Sequence, residues 1–168
     1  MKNNQKFLNL IARLIPVKTA YAHCDYPCGI YDPHQAQLGA LTVIRMTDAM
    51  LKMEHEHEKH DVEFRNNMMR AIEIKEQHAE QVKHEVRVIW GDYFKGDLKA
   101  KYPALDALVH EIMELGSKTR QTVDRAAAVQ LLEKVNSFAE LFWDSKGIKT
   151  HRAKAPYKFE EEVVYPTL

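Results

Sequence analysis

Between Asp32 and Gly147, apolar residues return at three- and four-residue steps in four successive blocks, a rhythm that leaves the chain few folds to choose from. Asp32 suits a helix N-cap and Pro33 the first helical position. Ala36, Ala40, Val43, Met46, Met50 and Met53 then mark one buried face of a first long helix. A polar stretch, Glu54 to Asp61, separates it from a second, with Phe64, Met68, Ile72, Ala79, Val82, Val86 and Ile89 inward. Trp90-Gly91-Asp92-Tyr93-Phe94 and a turn at Gly96 end that helix. A third, shorter helix starts at Pro103, carries Leu105, Leu108, Val109, Ile112 and Leu115 on its core side, and stops at Gly116. The fourth runs from about Thr119 to Lys146, with Val123, Ala127, Leu131, Val135, Phe138 and Phe142 inward and Gly147 closing it. Four amphipathic helices with short connections predict an all-α fold, an up-and-down four-helix bundle.

The bundle occupies most of a chain of 168 residues, which is one domain's worth of sequence. Lys+Arg and Asp+Glu both number 24, so the basic excess that binds nucleic acid or an anionic membrane surface is missing. No apolar run approaches the roughly 18 to 20 residues of a membrane-spanning helix. The expectation is a protein with no nucleic-acid and no membrane partner.

The flanks differ from the bundle. Residues 1–22 are basic without an acidic residue, weakly apolar from Phe7 to Val17, and end in Ala20-Tyr21-Ala22. That pattern resembles a secretory signal with an A-x-A cleavage site, although Asn9 and Arg13 interrupt its apolar region. Cleavage after Ala22 is one reading; the other is an amphipathic helix that stays attached, with Phe7, Leu8, Ile11, Leu14 and Ile15 on its apolar face. Residues 148–168, with Pro156, Pro166 and the run Glu160-Glu161-Glu162, read as an extended tail lying on the bundle or on a neighbouring subunit. The domain reading is a leader over 1–22, a hook and bundle over 23–147, and a tail over 148–168.

Helical bundles often hold di-iron sites built from Glu-x-x-His on two helices. Glu54 and His57 have that spacing, but no second pair stands on another helix, because Glu80 and His84 are four apart. His55, His57 and His60 alternate with charged residues in a solvated turn, which suits adventitious metal binding better than a built site. The Met46, Met50, Met53 stripe reads as core filling.

The two cysteines, Cys24 and Cys28, sit ahead of the bundle in His23-Cys24-Asp25-Tyr26-Pro27-Cys28-Gly29, where packing does not account for them. A disulfide closing so short a loop would remove little unfolded-state entropy, so metal or redox chemistry is the stronger reading. Cleavage after Ala22 would give His23 a free α-amino group. That amine, the His23 imidazole, the Cys24 amide and the two thiolates then form a nitrogen and sulfur donor set within six residues. Amine, amidate and two thiolates make a planar arrangement with the imidazole axial, a geometry suited to Ni(II) or Cu(II) rather than to tetrahedral zinc. Such electron-rich donors stabilise Ni(III) and make a redox reaction accessible. Pro27 and Gly29 let the loop fold back so that Cys28 faces Cys24.

The segment His23-Cys24-Asp25-Tyr26-Pro27-Cys28-Gly29-Ile30-Tyr31-Asp32-Pro33 resembles the nickel hook of the nickel superoxide dismutase family, His-Cys-Asp-x-Pro-Cys-Gly-x-Tyr-Asp-Pro, at all nine specified positions. Ile74-Lys75-Glu76-Gln77, Trp90-Gly91-Asp92-Tyr93-Phe94-Lys95, Lys101-Tyr102-Pro103 and Phe142-Trp143 look like the same family's helical body. The resemblance, over roughly residues 23–146, implies a homohexamer of four-helix bundles, removal of residues 1–22 by a maturation peptidase, and one nickel ion per subunit. It implies disproportionation of superoxide to oxygen and hydrogen peroxide. It makes His23, Cys24 and Cys28 the metal ligands, has Asp25 and Tyr31 shape the hook and its small-molecule entrance, and sets Tyr93 and Lys95 behind or beside it. Lys95 could attract the superoxide anion locally despite zero net charge. Read without the resemblance, Tyr93 is a helix-end aromatic and Lys95 a solvated charge.

One departure concerns the Glu on the first helix and the Arg on the second that commonly orient the axial imidazole in this family. Those positions correspond here to Gly39 and His78, which leaves His78 or water to hold the imidazole. A rival reading from another class is a non-catalytic module that binds or delivers nickel or copper through the same hook; a ferritin-like di-iron protein would need paired carboxylate motifs that are not found. Thiol ligands and the interrupted leader favour the cytoplasm, with export as the alternative.

Overall fold

A computed structural model describes residues 28–56, 60–157 and 160–168. Four long helices form the bundle: α1 (His34–Glu56), α2 (Val62–Val88), α4 (Leu105–Gln121) and α5 (Arg125–Ser145). α1 and α4 each pack on both α2 and α5, so the four surround one core containing Ala40 and Val43 from α1, Val82 from α2, Ile112 from α4 and Phe138 from α5. The helical bundle expected from the apolar rhythm is the fold observed. Among the described residues no helix is long and apolar enough to cross a membrane.

Local chemistry places the helix starts. The Asp32 carboxylate accepts the His34 N–H at 2.8 Å, that of Asp61 accepts Phe64 N–H at 2.9 Å, and that of Asp124 accepts Ala127 N–H at 3.0 Å, each satisfying an amide that has no carbonyl partner within its helix.

Three expectations need correction. Gly116 does not stop the third helix: α4 continues to Gln121, and Thr119 belongs to it rather than to the fourth helix. Gly116 is buried against α2, where a Cβ would meet Lys83 Cγ at 2.8 Å, so this glycine serves close packing. The break falls instead at residues 122–124, which leaves Val123 46% exposed rather than inward. Secondly, the Trp90–Phe94 stretch that ends the second helix is itself helical as far as Tyr93. The backbone continues as a π-helical turn (Ile89–Tyr93) closed by Phe94 N–H on Ile89 C=O at 3.3 Å, and a short helix α3 (Gly96–Ala100) follows. The wider turn buries Phe94 while leaving Tyr93 half-buried at its edge. Thirdly, the segment after Gly147 contains a hairpin, β1 (Thr150–Lys154) antiparallel to β2 (Glu162–Pro166), with Arg152 opposite Val164. Val163 and Val164 are buried, which ties the hairpin to the bundle.

A buried lysine holds the end of α4. Lys75, on α2, is 2% exposed, and its Nζ donates to the carbonyls of Thr119, of Arg120 at 2.9 Å and of Thr122 at 2.9 Å. These oxygens belong to the last turn, where a helix lacks intrahelical donors and carries partial negative charge.

Candidate metal centre

Of the proposed ligands, Cys28 is described and is exposed at the start of the segment leading into α1, whereas His23, Cys24 and Asp25 lie outside the described residues. Gly29 follows with φ +68°, a left-handed conformation that a side chain would strain. Asp32 and Pro33 then start α1. Cys28 therefore stands a few residues ahead of a fixed helix end. An exposed thiol is a competent soft donor, so the donor chemistry here fits nickel.

Behind this segment the structure brings together two of the residues singled out from sequence. The rings of Tyr31 and Tyr93 lie 5.7 Å apart, tilted by 51°. Tyr93 sits in the π turn, against Phe94 at 4.9 Å and Phe142 at 5.0 Å. Its hydroxyl is 2.8 Å from Ser145 Oγ, and Ser145 Oγ donates in turn to Phe142 C=O at 2.6 Å. Because the serine proton is committed to that carbonyl, Tyr93 is the donor to Ser145. Lys95 is exposed, with a long 3.9 Å approach to Asp92. A charge so solvated and so loosely paired remains available to an approaching anion.

Sequence reasoning missed two members of this cluster. Ser145 and Lys146 lie at the far end of α5, and Lys146 Nζ stands 4.9 Å from the Tyr93 ring centroid and 5.2 Å from that of Phe142. In sequence both read as the ordinary polar end of a helix.

The positions that depart from the family pattern, Gly39 and His78, face each other across α1 and α2. A Cβ on Gly39 would stand 2.9 Å from Val82 Cγ2 and 3.2 Å from the His78 carbonyl. The helices are too close there for a larger side chain without displacement. His78 Nδ1 donates to Ile74 C=O at 2.8 Å, which leaves Nε2 as its remaining polar atom. Both residues line a pocket of about 680 Å³ together with Arg45 and Tyr157, and Cys28, Tyr31, Tyr93 and Lys95 are not among its walls. His60 stacks on Phe64 at 4.2 Å, and His57 lies outside the described residues. Among the described residues no group of three or more His, Cys, Asp or Glu stands together as a metal site.

Comparison with known proteins bears on this arrangement. A family model for nickel-containing superoxide dismutase matches residues 18–146. The chain is 36% identical over 138 residues to the nickel superoxide dismutase of Streptomyces coelicolor, covering 82% of this chain and 98% of that protein. It has the same identity and coverage with the enzyme of Streptomyces seoulensis. Among solved structures, a native nickel superoxide dismutase superposes with a TM-score of 0.64 at 37% identity, over 74% of this chain and 99% of that one. Another, whose nickel ligation corresponds to partial X-ray-induced reduction, superposes with a TM-score of 0.65 at 36% identity.

Proposed function

This chain belongs to the nickel-containing superoxide dismutase family, and on that premise we propose that His23, Cys24 and Cys28 hold the nickel on which it disproportionates superoxide to oxygen and hydrogen peroxide. Nickel is the cofactor and superoxide the substrate; the assignment of ligands to these three residues is the step taken here. The observation that carries it is the exposed Cys28 shortly before α1, followed in the same segment by Tyr31, whose ring meets that of Tyr93.

When bound, nickel supplies a one-electron Ni(II)/Ni(III) couple, so that one superoxide loses an electron and the next gains one together with two protons. The chain's residues do the rest. The His23 amine becomes a donor only after a peptidase removes residues 1–22, which makes the uncleaved chain an inactive precursor. Asp25 shapes the hook. Tyr31 stands at the entrance and passes a proton toward the reduced substrate, and Tyr93, held by Ser145, keeps the Tyr31 ring in place. Lys95 adds positive charge for an anionic substrate. His78, with Nε2 uncommitted, is the residue that replaces the missing Glu and Arg pair. We assign one nickel to each subunit of a homohexamer in the cytoplasm.

The test compares superoxide consumption by nickel-loaded protein beginning at His23 with that of protein beginning at Met1. Activity confined to the shorter form supports the ligand set; activity in neither overturns it and shifts the hook to metal carriage.

A further inference from the structure

The C-terminal hairpin lies beyond the residues that the family model matches. Its inner strand is joined to the bundle by two buried side-chain amides, Gln37 at 1% exposure on α1 and Asn136 at 0% on α5. Asn136 Oδ1 accepts Val164 N–H at 3.3 Å and its Nδ2 donates to Glu162 C=O at 2.9 Å. One side-chain amide thus pairs with the open edge of β2 as the peptide of a neighbouring strand would. Gln37 Nε2 donates both to Asn136 Oδ1 at 3.0 Å and to Val164 C=O at 3.0 Å, which links α1, α5 and β2 at one point. Removing either amide strands buried polar partners, so the junction is rigid by construction.

That junction is in the first turn of α1, nine residues after Cys28. Val164, Tyr165 and Pro166 share a cleft with Asp32, His34 and Gln37, and the Tyr165 ring lies 6.4 Å from that of His34. On the other side, Ser145 and Lys146, which lead into the hairpin, hold Tyr93 against Tyr31. The hairpin and its root therefore brace the start of α1 from two directions.

We propose that the C-terminal hairpin is a positioning element for the metal hook, with Gln37 and Asn136 as the residues through which it acts. This rests on the reading of Cys28 as a nickel ligand. By fixing the first turn of α1, the hairpin limits the directions in which the hook can leave the bundle, and so reduces the ordering that metal binding requires.

Two variants test it, both beginning at His23: a chain ending after Lys149, in which water can reach the two amides, and the near-isosteric Gln37→Met in the chain that keeps its hairpin. Three readouts are compared with the parent chain: nickel affinity by competition with a chromophoric chelator, the ligand-field circular dichroism of bound nickel, and amide hydrogen exchange. The proposal expects nickel affinity to fall about tenfold, the scale on which supporting hydrogen bonds act on metal sites. The ligand-field bands should change, and exchange should quicken at residues 37–41 while Val82 and Val86 stay protected. Unchanged affinity and unchanged exchange at residues 37–41 in Gln37→Met would overturn it. If the shortened chain loses protection at Val82 and Val86 it has unfolded, and Gln37→Met decides alone. Failure of the ligand reading is seen separately, as a parent affinity that Cys28→Ser leaves intact.

Discussion

Tyr93 donates its hydroxyl proton to Ser145 while Lys146, the next residue, stands 4.9 Å from the centroid of the same ring. The end of α5 thus holds the phenol at its oxygen and at its face. A cation over an aromatic face at an exposed site contributes about 0.5–1 kcal/mol, and a neutral hydrogen bond about 1 kcal/mol. Ser145→Ala should therefore lower stability by about 1 kcal/mol in urea unfolding and broaden the Tyr93 ring resonances in NMR spectra.

Lys95 and Lys146 are both exposed lysines on the Tyr93 side of the bundle, one two residues after it in sequence and one over its ring. Exchanging both for Gln is expected to lower kcat/KM for superoxide about threefold at low ionic strength and to flatten its salt dependence, because local positive charge acts on the encounter rate. Pulse-radiolysis rates across a salt series measure this. An unchanged salt slope would remove Lys95 from substrate attraction.

Cys28 is exposed ahead of α1, outside the core. Cys28→Ser should leave folding stability within about 0.5 kcal/mol, as surface substitutions do, while abolishing nickel binding and superoxide turnover. Metal analysis after gel filtration, beside a urea curve, separates the two effects.

The two close-packed glycines should respond differently to alanine. At Gly39 the obstacle includes the His78 carbonyl, 3.2 Å from the added Cβ, and backbone cannot swing aside, so Gly39→Ala should cost about 1–3 kcal/mol. At Gly116 the obstacle is Lys83 Cγ and Cδ, near the root of a side chain whose Nζ donates to Ser117 Oγ, so yielding costs that hydrogen bond. Alanine's advantage of about 1 kcal/mol over glycine in a helix offsets part of that cost, and Gly116→Ala should destabilise less than Gly39→Ala. Paired urea curves decide.

Asp124 caps α5, and its carboxyl is held below the usual aspartate range first by the Lys118 hydrogen bond and then by the Ala127 N–H. A depressed folded-state pKa means that the unfolded chain takes up the proton more readily. The contribution is therefore present above the unfolded pKa and is lost as pH falls through the folded one. Asp124→Ala should lower the melting temperature at neutral pH, and its gap to the parent chain should close below about pH 4. A gap that persists undiminished at about pH 2 would refute this role.

Helix existence was legible in the sequence because burial on one face repeats locally, and Asp32 was legible as a cap; that Asp61 and Asp124 cap the helices after them emerged only from the structure. Helix ends were less legible. Gly116 carries the same residue type as a stop signal, and only the approach of Lys83 from α2 shows that it is a packing site. The π turn at Ile89–Tyr93 has no local signature, since one added residue in a helical turn changes no residue type.

By itself, then, the sequence determined the all-α class and the kinship that the motif from His23 to Pro33 expresses, because each is a matter of residue type at short spacing; the hook's donor residues are proposed on the same pattern. The tertiary structure alone decided that Tyr93 meets Tyr31, that Ser145 and Lys146 close on it from the end of α5, and that Asn136 stands in for a strand beside β2. These contacts join residues up to 62 positions apart, as Tyr31 and Tyr93 are. Their geometry follows from how closely and in what register the helices pack, which no local pattern encodes.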